Sequence, residues 1–249
     1  MENELGAVLI LMDINGTMIT MRDIDTAAYY KTFEQLYGLK NVNVFQYYTP
    51  GGTHEDNVWA TLRGMRSEGK IQITDAEIAA QIPKVSEVQT SNLEAEMNEH
   101  PEKIIVLPGI RELLTAFKER EAVLGVLTGH LRKTYALILE KAGIADYFNF
   151  TIGADESAER KGRMTAALHA AKTMFDWRTD GKAFFFDDSS ASIPIAREVG
   201  ITSIAVGTGD STEAKLIAAG PEYYVANLSD TKQILRMVSG ETRKKSTVR

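Results

Sequence analysis

Ala7-Val-Leu-Ile-Leu-Met12 runs directly into Asp13-Ile14-Asn15-Gly16-Thr17. The first six residues are apolar at every position and partly β-branched, the pattern of a strand buried on both faces of a parallel sheet. The polar turn that follows puts a carboxylate where that strand ends. Four later runs have the same character: Ala122-Val-Leu-Gly-Val-Leu127, Phe148-Asn-Phe-Thr-Ile152, Ala183-Phe-Phe-Phe186 and Ser203-Ile-Ala-Val206. Tyr223-Tyr-Val-Ala226 is a weaker sixth. Helical spacing fills the gaps: Ile110, Leu113, Leu114 and Phe117; residues 131–142 before Gly143; Met164 to Phe175; Ile193 to Val199; and Ala214 to Ala219. Strands alternating with helices of this length predict an α/β fold with a Rossmann-like, mainly parallel sheet.

Residues 20 to about 100 read differently. Helical patterns dominate there, over Ala27 to Tyr37, Asn57 to Arg66, Asp75 to Gln81 and a polar stretch from Val85 to Glu99. The first core strand precedes this block and the others follow it. The spacing therefore predicts a core of residues 1–18 and 102–249 with a helical insertion over 19–101. The basic tail from Arg243 to Arg249 is unpatterned and reads as a frayed terminus.

Composition narrows the function. The 249 residues carry 28 Lys plus Arg against 34 Asp plus Glu, a net charge of −6, which argues against nucleic-acid or anionic-membrane partners. The absence of Cys removes disulfides, thiolate metal sites and thiol nucleophiles. No apolar run approaches the ~20 residues that cross a bilayer. Met1-Glu2-Asn3-Glu4 is acidic where an export signal is basic. The expectation is a cytoplasmic globular protein, monomer or homodimer, acting on a small metabolite.

In open α/β sheets ligands bind beyond the carboxyl ends of the strands. There the chain places Asp13 with Asn15-Gly16-Thr17, then Thr128-Gly129-His130, then Lys161 at a helix start, then Asp187-Asp188-Ser189-Ser190. Carboxylates from two strand ends suit a hard Mg²⁺ with oxygen ligands. A hydroxyl, free amides and a lysine suit the oxygens of a phosphoryl group. These residues alone point to Mg²⁺-assisted phosphoryl chemistry.

The order Asp-x-x-Gly-Thr, Thr-Gly, Lys, Asp-Asp-Ser resembles the four motifs of the haloacid dehalogenase superfamily, closest to its phosphoglycolate phosphatase and β-phosphoglucomutase-like branch. The likeness runs over nearly the whole chain. Phe186 to Gly200 resembles the fourth-motif strand, loop and helix, Val206-Gly-Thr-Gly209 onward the closing segment, and the insertion a small helical cap. The resemblance implies Asp13 as the nucleophile that becomes an aspartyl phosphate. It implies Thr128, with Gly129 and Thr17 beside it, and Lys161 as phosphoryl binders. Asp13, Asp188 and the main-chain carbonyl of Asn15 become Mg²⁺ ligands, with Asp187 as a further ligand or an acid behind them. Gly51-Gly-Thr-His-Glu-Asp56 resembles the cap loop that reads the substrate, which makes Thr53 and His54 specificity candidates.

One position departs from the pattern. Phosphatases of this family usually carry Asp where this chain has Asn15, and an amide is neither an acid nor a base at pH 7. Three readings follow: a variant altered to trap a bound state, an enzyme with another acid–base source, or a phosphate-binding relative without turnover. A phosphoryl-transfer mutase is a further alternative. Dehalogenases of the superfamily use no metal, against which the Asp187-Asp188 pair argues. Phosphonate hydrolases need a cap lysine, for which the chain offers Lys31, Lys40, Lys70 and Lys84. Asn15-Gly16 is also a step at which backbone attack on the amide would convert Asn15 to Asp.

Several residues read as structural. Arg160 and Arg163 compete with Lys161 for the same role. His100, His130 and His169 lack metal-ligand spacing, Gly207-Thr-Gly209 lacks the third glycine of a dinucleotide loop, and Trp59, Met65 and Tyr29-Tyr30 suit packing within the cap.

Overall fold

The computed structural model describes residues 8–48, 52–178 and 182–240. Met1-Glu2-Asn3-Glu4, Ala7, Gly51 and the basic tail lie outside them. The chain starts with β1 (Val8–Met12), the short β2 (Ile19–Thr20), and three helices, α1 (Arg22–Tyr37), α2 (His54–Ser67) and α3 (Asp75–Glu99). It continues through β3 (Ile105–Val106), α4 (Ile110–Lys118), β4 (Val123–Leu127), α5 (Arg132–Lys141), β5 (Phe150–Ile152) and α6 (Arg160–Met174). The last part holds β6 (Lys182–Asp187), α7 (Ser192–Glu198), β7 (Thr202–Val206), α8 (Glu213–Ala218), β8 (Tyr223–Val225) and α9 (Thr231–Ser239).

Six strands form one sheet in the order β5-β4-β1-β6-β7-β8, every pair parallel. All five residues of β1 are buried, because the sheet is covered on both faces. Ile10 and Met12 pack with Leu113, Phe117 and Ile138 on one face, while Leu9 and Leu11 pack with Met164, Ala167 and Ala171 on the other. That alternation explains why the strand is apolar throughout rather than at every second residue. The chain leaves β1 for β4 on one side and β6 on the other. The carboxyl end of β1 is thus the switch point where a crevice opens.

β2 and β3 pair antiparallel where the chain leaves and re-enters the core. Two residues each, they carry no signal that periodicity could detect, and α9 follows the last of the predicted elements. The helical insert has its own apolar cluster of Tyr29, Phe33, Val58, Leu62, Met65, Ile78 and Ile82. Ile24, Ala28, Leu93 and Met97, at the core-side ends of α1 and α3, join the core cluster instead.

The stretches Asp75–Gln81 and Val85–Glu99, expected as two helical patterns, are one helix of 25 residues that runs through Pro83. An interior proline costs about 3 kcal/mol through its missing N–H and ring clash. Ile78, Ile82 and Val85 are buried on either side of it, and that packing carries the helix across.

Candidate functional site

Asp13 continues the β1 ladder by donating its N–H to Phe186 O (3.0 Å), so the neighbouring strand β6 fixes its position. The next residues fold back: Met18 N and Ile19 N both donate to Ile14 O (2.9 Å each), and Gly16 N donates to Ile19 O (2.8 Å). Gly16 has φ +77°, and a Cβ there would lie 2.7 Å from Asp188 Oδ2. A Cβ on Gly209 would lie only 1.7 Å from the same oxygen. Both glycines therefore exist to let the backbone close around Asp188. The Gly207-Thr-Gly209 loop belongs to the site: Thr208 Oγ1 donates to Gly16 O (2.5 Å) and Asp210 N to Asp188 Oδ2 (3.1 Å).

Carboxylate oxygens of Asp13, Asp187 and Asp188 all lie within 4.8 Å of one another. Burial, then the charges of Asp187 and Asp188, hold the Asp13 carboxyl well above the usual carboxylate range. Burial and the Asp187 charge push Asp188 up to about 7. Burial also raises Asp187, although Arg160, Ser192 and the Ser189 N–H oppose it. Asp187 accepts from Ser189 N (3.0 Å) and Ser192 Oγ, and the Arg160 guanidinium stands 3.7 Å away. The trio sets three acids against the guanidiniums of Arg160 and Arg163, both of which line the same cavity. An all-oxygen set of that kind fits a hard divalent cation such as Mg²⁺. The main-chain carbonyl of Asn15 accepts no backbone hydrogen bond among the turns that build the loop.

The other expected residues separate into those the structure brings to this point and those it does not. Thr128 directly follows β4, is buried, and accepts the His130 N–H on its hydroxyl (3.3 Å). Gly129 lies against the insert, since a Cβ there would meet Gly52 O at 3.0 Å. Thr128, Gly129 and His54 line a cavity of about 270 Å³ together with Asp13, Asn15, Asp187 and Asp188. Thr17 and Thr53 are buried but do not line it. The Thr53 hydroxyl is spent as the N-cap of α2, donating to Asp56 Oδ2 (2.8 Å) and accepting Asp56 N–H (3.2 Å).

Lys161 is displaced from its expected role. Its side chain is exposed, pairs with Glu198, and does not line the cavity. Arg160, one residue earlier, does line it and bonds Ser189 Oγ (3.2 Å) and Ser192 Oγ. Successive helical residues point about 100° apart, and the phase of α6 turns Arg160 toward the cavity and Lys161 toward solvent. Lys31, Lys40, Lys70 and Lys84 pair with Glu96, Glu34, Glu68 and Glu87, and none lines the cavity. A Schiff-base lysine from the insert is therefore absent among the described residues.

His130 is a correction in the other direction. It lines the cavity, and its Nε2 lies 3.1 Å from Asn15 Nδ2. Burial lowers its pKa to about 4, so it is neutral at pH 7 and can accept the amide N–H. Asn15 Oδ1 is buried without a partner. The sequence did hold a signal for His130, its place directly after Thr128-Gly129, but spacing alone did not separate it from the other histidines. The backbone attack expected at Asn15-Gly16 is opposed here, because the attacking Gly16 N–H is engaged with Ile19 O.

Arg163 of α6, the third cation the sequence offered there, also lines the cavity from the core, and the insert supplies the opposite wall. Arg22, Asp25, Tyr29, Asn57, Gln89 and Thr90 contribute, none of them foreseen as lining residues. Arg22 pairs with Asp210 across the junction and lies over the Phe45 ring, 4.4 Å from its centroid. Burial pushes the Asp25 carboxyl up to about 7, against the pull of Arg22. Burial and the neighbouring His130 lower His54 to about 4.

The family described as haloacid dehalogenase-like hydrolase matches residues 10–206 of the chain. The phosphoglycolate phosphatase of Synechococcus elongatus is 26% identical over 128 residues, 51% of this chain and 58% of that protein. The chain thus spans little more than half the length of that relative. Among solved structures, a predicted phosphoglycolate phosphatase from Haemophilus somnus superposes with a TM-score of 0.71 at 16% identity, covering 91% of this chain and 97% of the other. The β-phosphoglucomutase of Clostridium difficile gives 0.69 at 18% identity, covering 94% and 97%.

Proposed function

The chain belongs to the haloacid dehalogenase-like hydrolases, and from that premise we propose that it is a Mg²⁺-dependent phosphatase of a small, cytoplasmic phosphate monoester. The observation that carries the reading is the meeting of Asp13, Asp187 and Asp188 in one cavity with Thr128 and Arg160. At about 270 Å³ the cavity is below the usual range for drug-sized ligands, which favours a small metabolite over a phosphoprotein or nucleic acid.

In this reading Asp13 attacks phosphorus in line. The Asp13 O–P bond forms as the ester P–O bond breaks, leaving an aspartyl phosphate that water then hydrolyses. The Thr128 hydroxyl and the Arg160 guanidinium hold phosphoryl oxygens and offset their charge. Asp13, Asp188 and the Asn15 carbonyl, with Asp187 beside them, would hold Mg²⁺, which supplies further charge neutralisation when bound. The helices of residues 19–101 act as a cap that keeps bulk water out, and the β2–β3 pair is its attachment.

Asn15 provides no acid for the leaving oxygen, and so the chain is slow. A non-hydrolysing phosphate-binding or regulatory role is favoured by one observation, the tie between the Asn15 amide and His130. A mutase would reveal itself by an isomerised product rather than free phosphate. Phosphate release with Mg²⁺ from p-nitrophenyl phosphate and phosphoglycolate, for this chain and for Asn15→Asp, tests the reading. The aspartate form is expected to be faster by about 10²–10⁴-fold, the usual worth of a positioned acid–base group. Silence from both forms, with a phosphorylated ligand still raising Tm, favours the binding role.

A further inference from the structure

The insert side of the cavity is polar without holding a free charge. α2 enters it with His54 and Asn57, three residues apart and so on one face. Two of their atoms, His54 Nε2 and Asn57 Oδ1, are buried with no hydrogen-bond partner. Asn57 as a whole is only 9% exposed. The Tyr29 hydroxyl lies 3.2 Å from His54 Nδ1 and sets the ring's position. Buried polar atoms of this kind normally find partners, and leaving one without forfeits the hydrogen bond it had in water. Two such atoms on one helical turn, carried by residues that line one cavity, mark a place for a ligand group.

The charges nearby decide its class. Arg22 is the only Lys or Arg that the described insert residues bring to the cavity, and it is committed to Asp210. Asp25 lines the same half. A carboxylate held there would meet Asp25, with Arg22 held by Asp210 and the Arg163 guanidinium, which also lines the cavity, bonded to the Ser157 and Ala158 carbonyls, and it has no proton to give the Asn57 carbonyl. A hydroxyl both donates and accepts, so it satisfies Asn57 in either amide orientation and His54 in either tautomer.

We propose that His54 and Asn57 form a hydroxyl-reading subsite, so that the leaving group is an uncharged, hydroxyl-bearing carbon skeleton rather than a carboxylate-bearing one. The proposal rests on the phosphatase reading for the ester linkage alone, and the subsite itself can be judged by binding. The full-length chain with Mg²⁺ is titrated with glycerol 3-phosphate and with phosphoglycolate, following Tm and initial rates. The glycerol ester is expected to bind and turn over better by about tenfold or more, as expected when a site's polar groups find or lack their partner. Asn57→Leu is expected to reduce that preference to under about threefold, and Asn57→Lys to turn it toward phosphoglycolate.

Equal binding of the two esters, tighter phosphoglycolate binding, or binding of neither overturns the subsite. So does a preference that Asn57→Leu leaves intact. If Asn57→Leu does not fold, the wild-type preference and Asn57→Lys decide. Selective binding without turnover supports the subsite and counts against the phosphatase reading, which release from p-nitrophenyl phosphate judges separately.

Discussion

The two halves of the cavity use burial in opposite ways. On the core side it collects three carboxylates within 4.8 Å and raises their affinity for protons. On the insert side the imidazole of His54 is stripped of its charge, and polar atoms of α2 are left without partners. One half concentrates acids and guanidiniums, and the other presents neutral polar groups. The sheet explains the difference: strand ends in fixed register can hold like charges together, as β1 and β6 do from Met12↔Phe186 onward. Helices that contribute one face each to a cavity offer separate polar groups instead.

The largest effect expected from breaking the comparison lies on the core side. Asp13→Asn removes the proposed nucleophile, and phosphate release should fall by about 10⁴-fold or more, as when a nucleophile is deleted from a catalytic unit. Ester binding should survive, because the insert half is untouched. A parallel loss of ligand-induced Tm shift would show that the halves are not separable.

The next effect separates two adjacent residues. Arg160→Met should lower kcat by about 10²–10³-fold, the usual cost of removing one group that stabilises developing charge. Lys161→Met should change it by less than about threefold, since its partner is the exposed Glu198 and surface pairs contribute little. The reverse order, measured with p-nitrophenyl phosphate, would restore Lys161 to the site.

That pair shows where sequence reasoning stops. β1 and its Asp13 turn were legible because two-sided burial leaves an uninterrupted apolar run, and the acids after β6 were legible for the same reason. Which of two cations at the start of α6 faces the cavity depends on helix phase, which spacing does not carry to within one residue. Asn57, Gln89 and Asp25 sit on helices among many polar residues, and only the packing of α1, α2 and α3 selects the ones that line a cavity. Pro83 marked a break that tertiary packing overrode.

A pH experiment sharpens the contrast. His54 has a folded pKa of about 4 against about 6.5 unfolded, so between those values the unfolded chain binds more protons. Its contribution is fully present above about pH 6.5 and lost as pH falls toward about 4, a span worth roughly 3 kcal/mol. Asp188, raised to about 7, has the opposite slope: its contribution is present below about pH 4 and lost as pH rises through 7. His54→Gln should therefore gain stability relative to the parent between pH 7 and about 4.5, read as urea midpoints. A constant difference across that range would mean the imidazole takes up its proton at the same pH in the folded chain as in the unfolded one.

The smallest effect concerns Thr53, which the sequence placed among specificity residues and the structure places at the N-cap of α2. Its hydroxyl holds the first turn of the helix that carries His54 and Asn57, and the Asp56 carboxylate returns a bond from Thr53 N–H (2.8 Å). Thr53→Ala should cost about 1 kcal/mol, the ordinary value of an N-cap, and lower Tm by roughly 2–4 °C in a chain of this size. Because the side chain does not line the cavity, the ratio of glycerol 3-phosphate to phosphoglycolate turnover should hold within about twofold. If that ratio moves while Tm does not, Thr53 reads the substrate directly and the boundary of the insert half must be redrawn to include it. If both move together, the cap bond sets the angle at which α2 presents its polar face, and selectivity depends on the order of that first turn.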